Sequence, residues 1–299
     1  GIIGVGIGWA EARVQGATRA ELAGTAQAGA GGARVAATAD NRADADVQAV
    51  GGGVAGGTLN AAKALVGHSI RAWIADGSRV ETTGDVTMEA VSTADADAET
   101  DGVAAGGLAI GTSLAEAVVE PAVTVGIGAA FVRAGDIRVR GLHNFSGSSP
   151  QAGLGASARG NASGGGLLSG NGADIDAAAR ALVDAELGGA NADMAATGGI
   201  EVTARAHNDA DALADGDTFG VVGIGVMLAD AATGGGAGAD MGGGSRLAAA
   251  GSLSVEAFAS STADARAEAV AGGALGAATG NRARSSVTAS SNAGVGAGA

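Results

Sequence analysis

The sequence predicts an all-β fold, a β-solenoid wound from units of about 51 residues, each with roughly three extended segments. Three observations carry that expectation. The apolar side chains are mostly Ala, short segments alternate with a period of two, and those segments return at a near-constant spacing.

Composition sets the thickness of the core. The 299 residues include 57 Gly, 2 Pro, no Cys and no Tyr, and 46% are hydrophobic while only 2% are aromatic. Burial is worth ~25 cal/mol per Å² of apolar surface, and an Ala methyl offers little of it. Thin layers with closely spaced backbones, lined by Ala and Gly, are the natural use of such a sequence. Collagen is excluded, because the glycines keep no three-residue period and Pro is almost absent. A mean hydropathy of +0.27 and the ordered alternation oppose disorder. A net charge of −14 opposes nucleic acid and anionic membrane surfaces as partners. The opening run of residues 1–8 is too short and Gly-rich to span a bilayer, so no membrane insertion is expected. No charged leader precedes it, and the chain reads as an excerpt of a longer polypeptide. Lack of Cys is compatible with export, and the abundance of Ala, Gly, Asp and Arg over Lys fits a GC-rich bacterial genome.

The first element of each unit is an alternating segment introduced by Gly. It reads Gly-Asp-Val-Thr-Met-Glu-Ala at 84–90, Gly-Asp-Ile-Arg-Val-Arg at 135–140, Gly-Ile-Glu-Val-Thr-Ala at 199–204 and Gly-Ser-Leu-Ser-Val-Glu-Ala at 251–257, with a degenerate copy at 32–37. Anchored on Ala33, Val86, Ile137, Ile200 and Leu253, the spacings are 53, 51, 63 and 53 residues. The long spacing places a Gly/Ser-rich insertion, with Pro150, within 146–172. A second, Gly-rich element follows at 4–12, 51–64, 102–117, 220–231 and 272–283. A third closes the unit at 70–84, 123–135, 183–198 and 238–251. One continuous array over 1–299 results, with units at 1–31 (partial), 32–84, 85–135, 136–198, 199–251 and 252–299. Residues 176–187 are the one stretch with a competing helical reading, through Arg180 and Asp184 at helical spacing and Gly188 as a stop.

Superposing the units sharpens the alternation. Ala43/Ala45, Ala96/Ala98, Ala210/Ala212 and Ala263/Ala265 flank Asp44, Asp97, Asp211 and Asp264, while the unit from Ile137 departs with Gly147 and Ser148. An Ala-lined interior beside an acidic column is what stacked coils produce. Such units bury their faces only against neighbours above and below.

These features resemble the Gly/Ala/Asp-rich repeat regions of giant bacterial secreted and surface proteins, a group spanning large adhesins, filamentous-haemagglutinin-like exoproteins and autotransporter passengers. The alternating strand after Gly, the Ala-Asp alternation and segments such as Gly223-Ile224-Gly225 carry the resemblance across the whole chain. It implies export to the extracellular side or cell surface and an elongated, rod-like role, without catalytic residues.

Candidate chemistry is sparse. Carboxylates stacked at coil spacing repel, and calcium bridging Asp44, Asp97, Asp211 and Asp264 would relieve that repulsion; a solvated acidic face is the alternative. The segment 235–240, Gly-Gly-Ala-Gly-Ala-Asp, fits part of a calcium-binding nonapeptide and adds Asp240, and Asn-Gly-Ala-Asp-Ile-Asp at 171–176 is similar. The alignment explains 235–240 equally well, placing Met241 where Ile127 and Ile74 fall. His68, His143 and His207 occupy different unit positions, which predicts scattered surface histidines and no triad or metal cluster. The few aromatics, Trp9, Trp73, Phe131, Phe145, Phe219 and Phe258, are expected to fill wide corners. The function expected is that of a non-catalytic segment of an exported filament, stalk or surface layer, with copies of itself as partner. The alternative is an adhesin passenger that grips a surface or glycan through its insertion.

Overall fold

The computed structural model describes residues 2–296. Gly1, at the head of the glycine run, and residues 297–299, the end of the last expected unit, lie outside the described residues. Those described are all-β, without a helix. Long strands dominate: Ile3–Leu22, Ala33–Ile74, Val86–Val119, Ala156–Ala179, Ile200–Thr233 and Leu253–Val287. Each pairs in parallel with a strand one pass earlier or later in the chain. Ala33 pairs with Val86, Val86 with Ile137, Ile137 with Ile200 and Ile200 with Leu253. A smaller parallel sheet stacks Thr25–Ala28, Arg79–Thr82, Phe131–Ala134, Asp193–Ala196 and Arg246–Ala249.

Two cores of different depth lie side by side. In the first, large side chains converge from three walls: Met88, Ile137 and Ile200 from the alternating segments that open each pass, Ile70, Ile74 and Ile127 from the return, and Val80, Val132 and Met194 from the small sheet. The second core is almost wholly Ala, with Ala43, Ala45, Ala96, Ala98, Ala210 and Ala212 facing Ala62, Ala64, Ala115, Ala117, Ala229 and Ala231. Here each long strand doubles back on itself, so an outgoing and a returning layer form a flat fin beside the thicker body. Fully burying an Ile or Met is worth ~1.5–3 kcal/mol, several times an Ala methyl, so the fin depends more heavily on backbone pairing.

Glycine makes the fin's tip possible. A β-carbon on Gly51 would overlap the carbonyl of Gly57, and one on Gly166 would overlap that of Gly106. Side chains of the returning layer tie the two layers together: Asn60 Nδ2 donates to Asp101 O (2.7 Å), Ser113 Oγ to Asn161 O (2.7 Å) and Asn171 Nδ2 to Asp217 O (3.0 Å). The Gly-rich second element is therefore the turning edge of the fin rather than a corner between separate segments.

Corners elsewhere use carboxylates. Asp76 Oδ1 accepts from Ala129 N (2.8 Å), Asp85 Oδ1 from Asp136 N (2.9 Å) and Asp136 Oδ1 from Gly199 N (2.7 Å), each reaching the adjacent pass. The Gly-Asp opening of the alternating segments thus satisfies an amide where strand pairing lapses.

Three expectations need correction. Residues 176–187 are not helical: they end Ala156–Ala179 and form Leu182–Leu187, with only Arg180 and Ala181 between the strands, because the passes on both sides offer backbone partners that outweigh the helical propensity of Ala. The insertion, expected somewhere within 146–172, falls in 144–155, at the front of that window. The pairing offset rises from 51 residues at Ser92–His143 to 60 at Ala96–Ala156, so nine residues are extra, and they lie between those pairs. They carry the small antiparallel hairpin of Phe145–Ser146 and Ser149–Pro150. Finally, Ala156 and Ala158, not Gly147 and Ser148, continue the Ala columns, and Ser157 takes the acidic position.

Candidate functional site

The acidic column is real but broken. Asp44 pairs with Asp97 and Asp211 with Asp264, while Ser157 stands between Asp97 and Asp211. The upper pair is met by Arg42, whose Nη2 lies 3.0 Å from Asp97 and 3.7 Å from Asp44. An open depression gathers Asp95, Asp97, Asp209 and Asp211 around Ser157 and Arg159. Burial, reinforced by the charge of Asp97, pushes the Asp95 carboxyl above its ordinary range, and burial does the same to Asp209. Across Ser157 the two acidic pairs are two strand spacings, ~9.6 Å, apart, further than oxygens sharing one calcium ion at ~2.4 Å can sit. Among the described residues no three His, Asp or Glu groups converge as a metal centre.

Asp240 sits in strand Gly236–Met241, paired with Glu186 on one side and Gly294 on the other. Its negative charge adds to burial in raising the Asp184 carboxyl. The segment is an extended strand with Met241 directed into the body core beside Leu187 and Ile127, as the alignment expects. Asn171 and Asp176 likewise lie within a strand.

The histidines overturn the surface expectation: His68, His143 and His207 are all buried. His143 ends its strand, pairing with Ser92 and Ala206, so His207 follows its neighbour directly; His68 approaches from the returning layer. They meet at the neck between fin and body. His143 Nδ1 shares a hydrogen bond with Ser92 Oγ (3.2 Å), and the Asn41 amide lies 2.9 Å from His68 Nε2. Burial, helped by the neighbouring His68 and His207, drives the His143 pKa down to about 3, so its ring is neutral at pH 7. Burial also lowers His68. Sequence spacing hid this convergence because it depends on which residues face one another across the neck.

Buried asparagines close the same neck. Asn208 Oδ1 accepts from Ala181 N (2.8 Å) while its Nδ2 donates to Gly234 O (2.9 Å). Asn144, at φ 49°, accepts from Ala94 N (2.9 Å) and donates to Ala94 O (3.1 Å), replacing a strand pair where the insertion leaves the stack. Phe145 is buried beside it, edge-on to His207 and Phe258. The other aromatics do not fill corners. Trp9, Phe219 and Phe258 are exposed, Trp73 lies under Arg71, and Phe131 is sandwiched between Arg79 and Arg133 at 4.1 and 4.0 Å. Large rings find too little depth in a core cut for methyl groups, and arginines cover some of them instead.

Beside the insertion an open groove is lined by Glu89, Arg140, Glu201, Arg205 and the hairpin residues Gly147 and Ser148. Arg140 pairs with Glu201 (3.3 Å) and Arg205 with Glu256 (2.9 Å), so its charges are largely answered within the chain. Compared with protein-family models, curated proteins and solved structures, the chain matches none of them.

Proposed function

We propose that this chain is a β-solenoid segment, coiled in units of about 51 residues, that serves as a non-catalytic spacer in an exported bacterial filament, stalk or surface layer. One observation carries the reading: the strand starts Ala33, Val86, Ile137, Ile200 and Leu253 lie side by side in parallel register, each pass templating the next. A stack of that kind lengthens by adding passes without altering its cross-section, which is the property a spacer needs. The acidic exterior, at net charge −14, keeps such a rod soluble and repels anionic surfaces. Electron microscopy of the parent protein tests the proposal. A straight rod that shortens by ~4.8 Å per unit deleted, with its end domains still displayed, is the expected result. A compact particle, or a length indifferent to the deletions, refutes it.

The groove under the insertion favours a second reading, an adhesin that holds a polar surface or glycan there through Arg140, Arg205 and Ser148. Replacing the insertion with the three-residue connection of the preceding pass separates the two. A spacer keeps all attachment of the parent, whereas an adhesin loses it.

A further inference from the structure

The outer face of the returning layer of the fin is built the wrong way round for a free surface. Its inward positions hold mostly small or polar residues, such as Ala109, Gly111, Asn60 and Ser113, while its outward positions carry larger apolar side chains: Ile110 is 53% exposed, Ile224 51% and Leu108 44%. These residues lie in interior passes with strands on both sides, so their exposure does not come from a missing neighbour.

The large residues are arranged in ridges. Down one column the outward side chains are Val5, Gly57, Ile110, Gly170, Ile224 and Ala278, alternating large and small from pass to pass. Two columns along, Leu114 and Leu228 stand either side of Asp174, and Trp9 and Leu114 form the walls of an open groove over Ala61. Leu59 and Leu168 stand in the furrow strands, next to the sockets at Gly57 and Gly170. In these two columns a large side chain therefore recurs every second strand, ~9.6 Å apart, with one strand of smaller or charged residues between.

The furrow glycines have no explanation inside this chain. A β-carbon at Gly170 would meet nothing within 4 Å, and those at Gly57 and Gly172 would make only ordinary contacts, at 3.7 and 3.5 Å. None of the three needs a positive φ. Glycine weakens a strand relative to almost any other residue. Its place here contrasts with Gly166 and Gly106 at the tip, where a side chain is impossible. A charged column formed by Glu11, Lys63, Glu116, Asp176, Asp230 and Arg284 bounds the apolar face toward the body. Apolar centre and charged rim are the anatomy of a protein interface.

We infer that this face binds a second copy of the same chain, ridge into furrow. A two-fold axis along the strand direction reverses the order of the six passes, which sets Ile110 against the partner's Gly170 and Ile224 against the partner's Gly57. The face spans ~20 Å along the strands and ~25 Å across them, so two copies cover roughly 1,000 Å² in plan, the lower bound for a specific interface and the size of a reversible one. The inference rests on the reading of the chain as a stacked rod and adds how rods join side by side.

Sedimentation of the full chain across a concentration series, with far-ultraviolet circular dichroism on every sample, tests it. Wild type is expected to dimerise at micromolar concentration. Ile110→Asp with Ile224→Asp should weaken dimerisation at least a hundredfold. Gly170→Val fills a socket that the isolated chain leaves open, so it should keep the β spectrum and resist urea at least as well as wild type while dimerising at least tenfold more weakly. The protein has no Cys, so Thr112→Cys, mid-face, should cross-link copies, whereas Arg159→Cys on the opposite layer should not. A β-rich chain that stays monomeric at 100 µM would overturn the inference and leave the rod reading intact. Association strengthened by Gly170→Val would mean a merely sticky face, association indifferent to all the face variants would mean end-to-end pairing of strands, and uptake of monomers by phosphatidylcholine vesicles would mean a lipid surface; each overturns it. A helical or unstructured spectrum would overturn the rod reading as well.

Discussion

His143 couples the neck of the fold to pH, because its pKa is about 3 in the folded chain and 6.5 when unfolded. Between those values the unfolded chain takes up a proton that the folded chain refuses. The stability conferred by the neutral buried ring is therefore complete above pH 6.5 and drains away as pH falls toward 3. Each pH unit within that window costs up to about 1.4 kcal/mol, so lowering the pH from 7 to 5 should remove about 2 kcal/mol through this one residue. His68, whose pKa is also lowered by burial, adds to the loss in the same direction. Asp95, Asp176, Asp184 and Asp209 act oppositely: burial raises their pKa, so acid relieves them as pH falls through the raised range. Urea unfolding of wild type and His143→Gln at pH 7, 6 and 5 isolates the histidine, since the carboxylates are common to both. The variant should lose about 2 kcal/mol less than wild type over the two units. Equal losses would mean that His143 is solvated, and the buried neck would be wrong.

The remaining predictions address the fin, the insertion root and the acidic column. Gly166→Ala must push the Gly106 carbonyl aside, and should cost about 2 kcal/mol in urea unfolding, whereas Gly170→Ala, with open space around it, should be neutral or slightly stabilising. Asn144→Ala strips both hydrogen bonds from the buried Ala94 backbone and gives up a side chain suited to positive φ; a loss of about 2–4 kcal/mol is expected, measured the same way. Calcium at 5 mM should shift the melting temperature by less than about 2 °C relative to chelator, since Ser157 and Arg42 interrupt the acidic column. A rise of 5 °C or more would require a site that the pairing register does not provide.

How much of this was legible beforehand follows from the range of each signal. Alternation and the Gly-Asp strand opening are local, and the strands starting at Ala33, Val86, Ile137, Ile200 and Leu253 do lie adjacent. The Ala columns flanking Asp44 and Asp97 were equally readable, because one register fixes every residue of a strand. The fold-over at Gly51 was not, since glycines at a corner and glycines at a fin's edge look alike until the opposing layer is known. Nor was the extent of the insertion. Gly-rich residues 164–166 fell inside the window in which the insertion was expected, yet they are the tip of a strand paired on both sides. The histidine cluster needed knowledge across the neck, from Asn41 to His68 and from Ser92 to His143, which no single stretch of chain contains.

The hairpin at Phe145–Ser146 and Ser149–Pro150 shows how this architecture tolerates foreign sequence. Twelve residues, nine more than the preceding pass uses, leave the sheet after His143 and rejoin it at Ala156, and the strand that follows pairs with both neighbouring passes. Asn144 seals the exit by mimicking the peptide group it displaces, so the neighbours cannot distinguish a short graft from a long one. The exposed link between Gly147 and Ser148 is therefore a mounting point: a peptide or small domain spliced there would ride on the outside at a fixed height, its length independent of the scaffold that carries it.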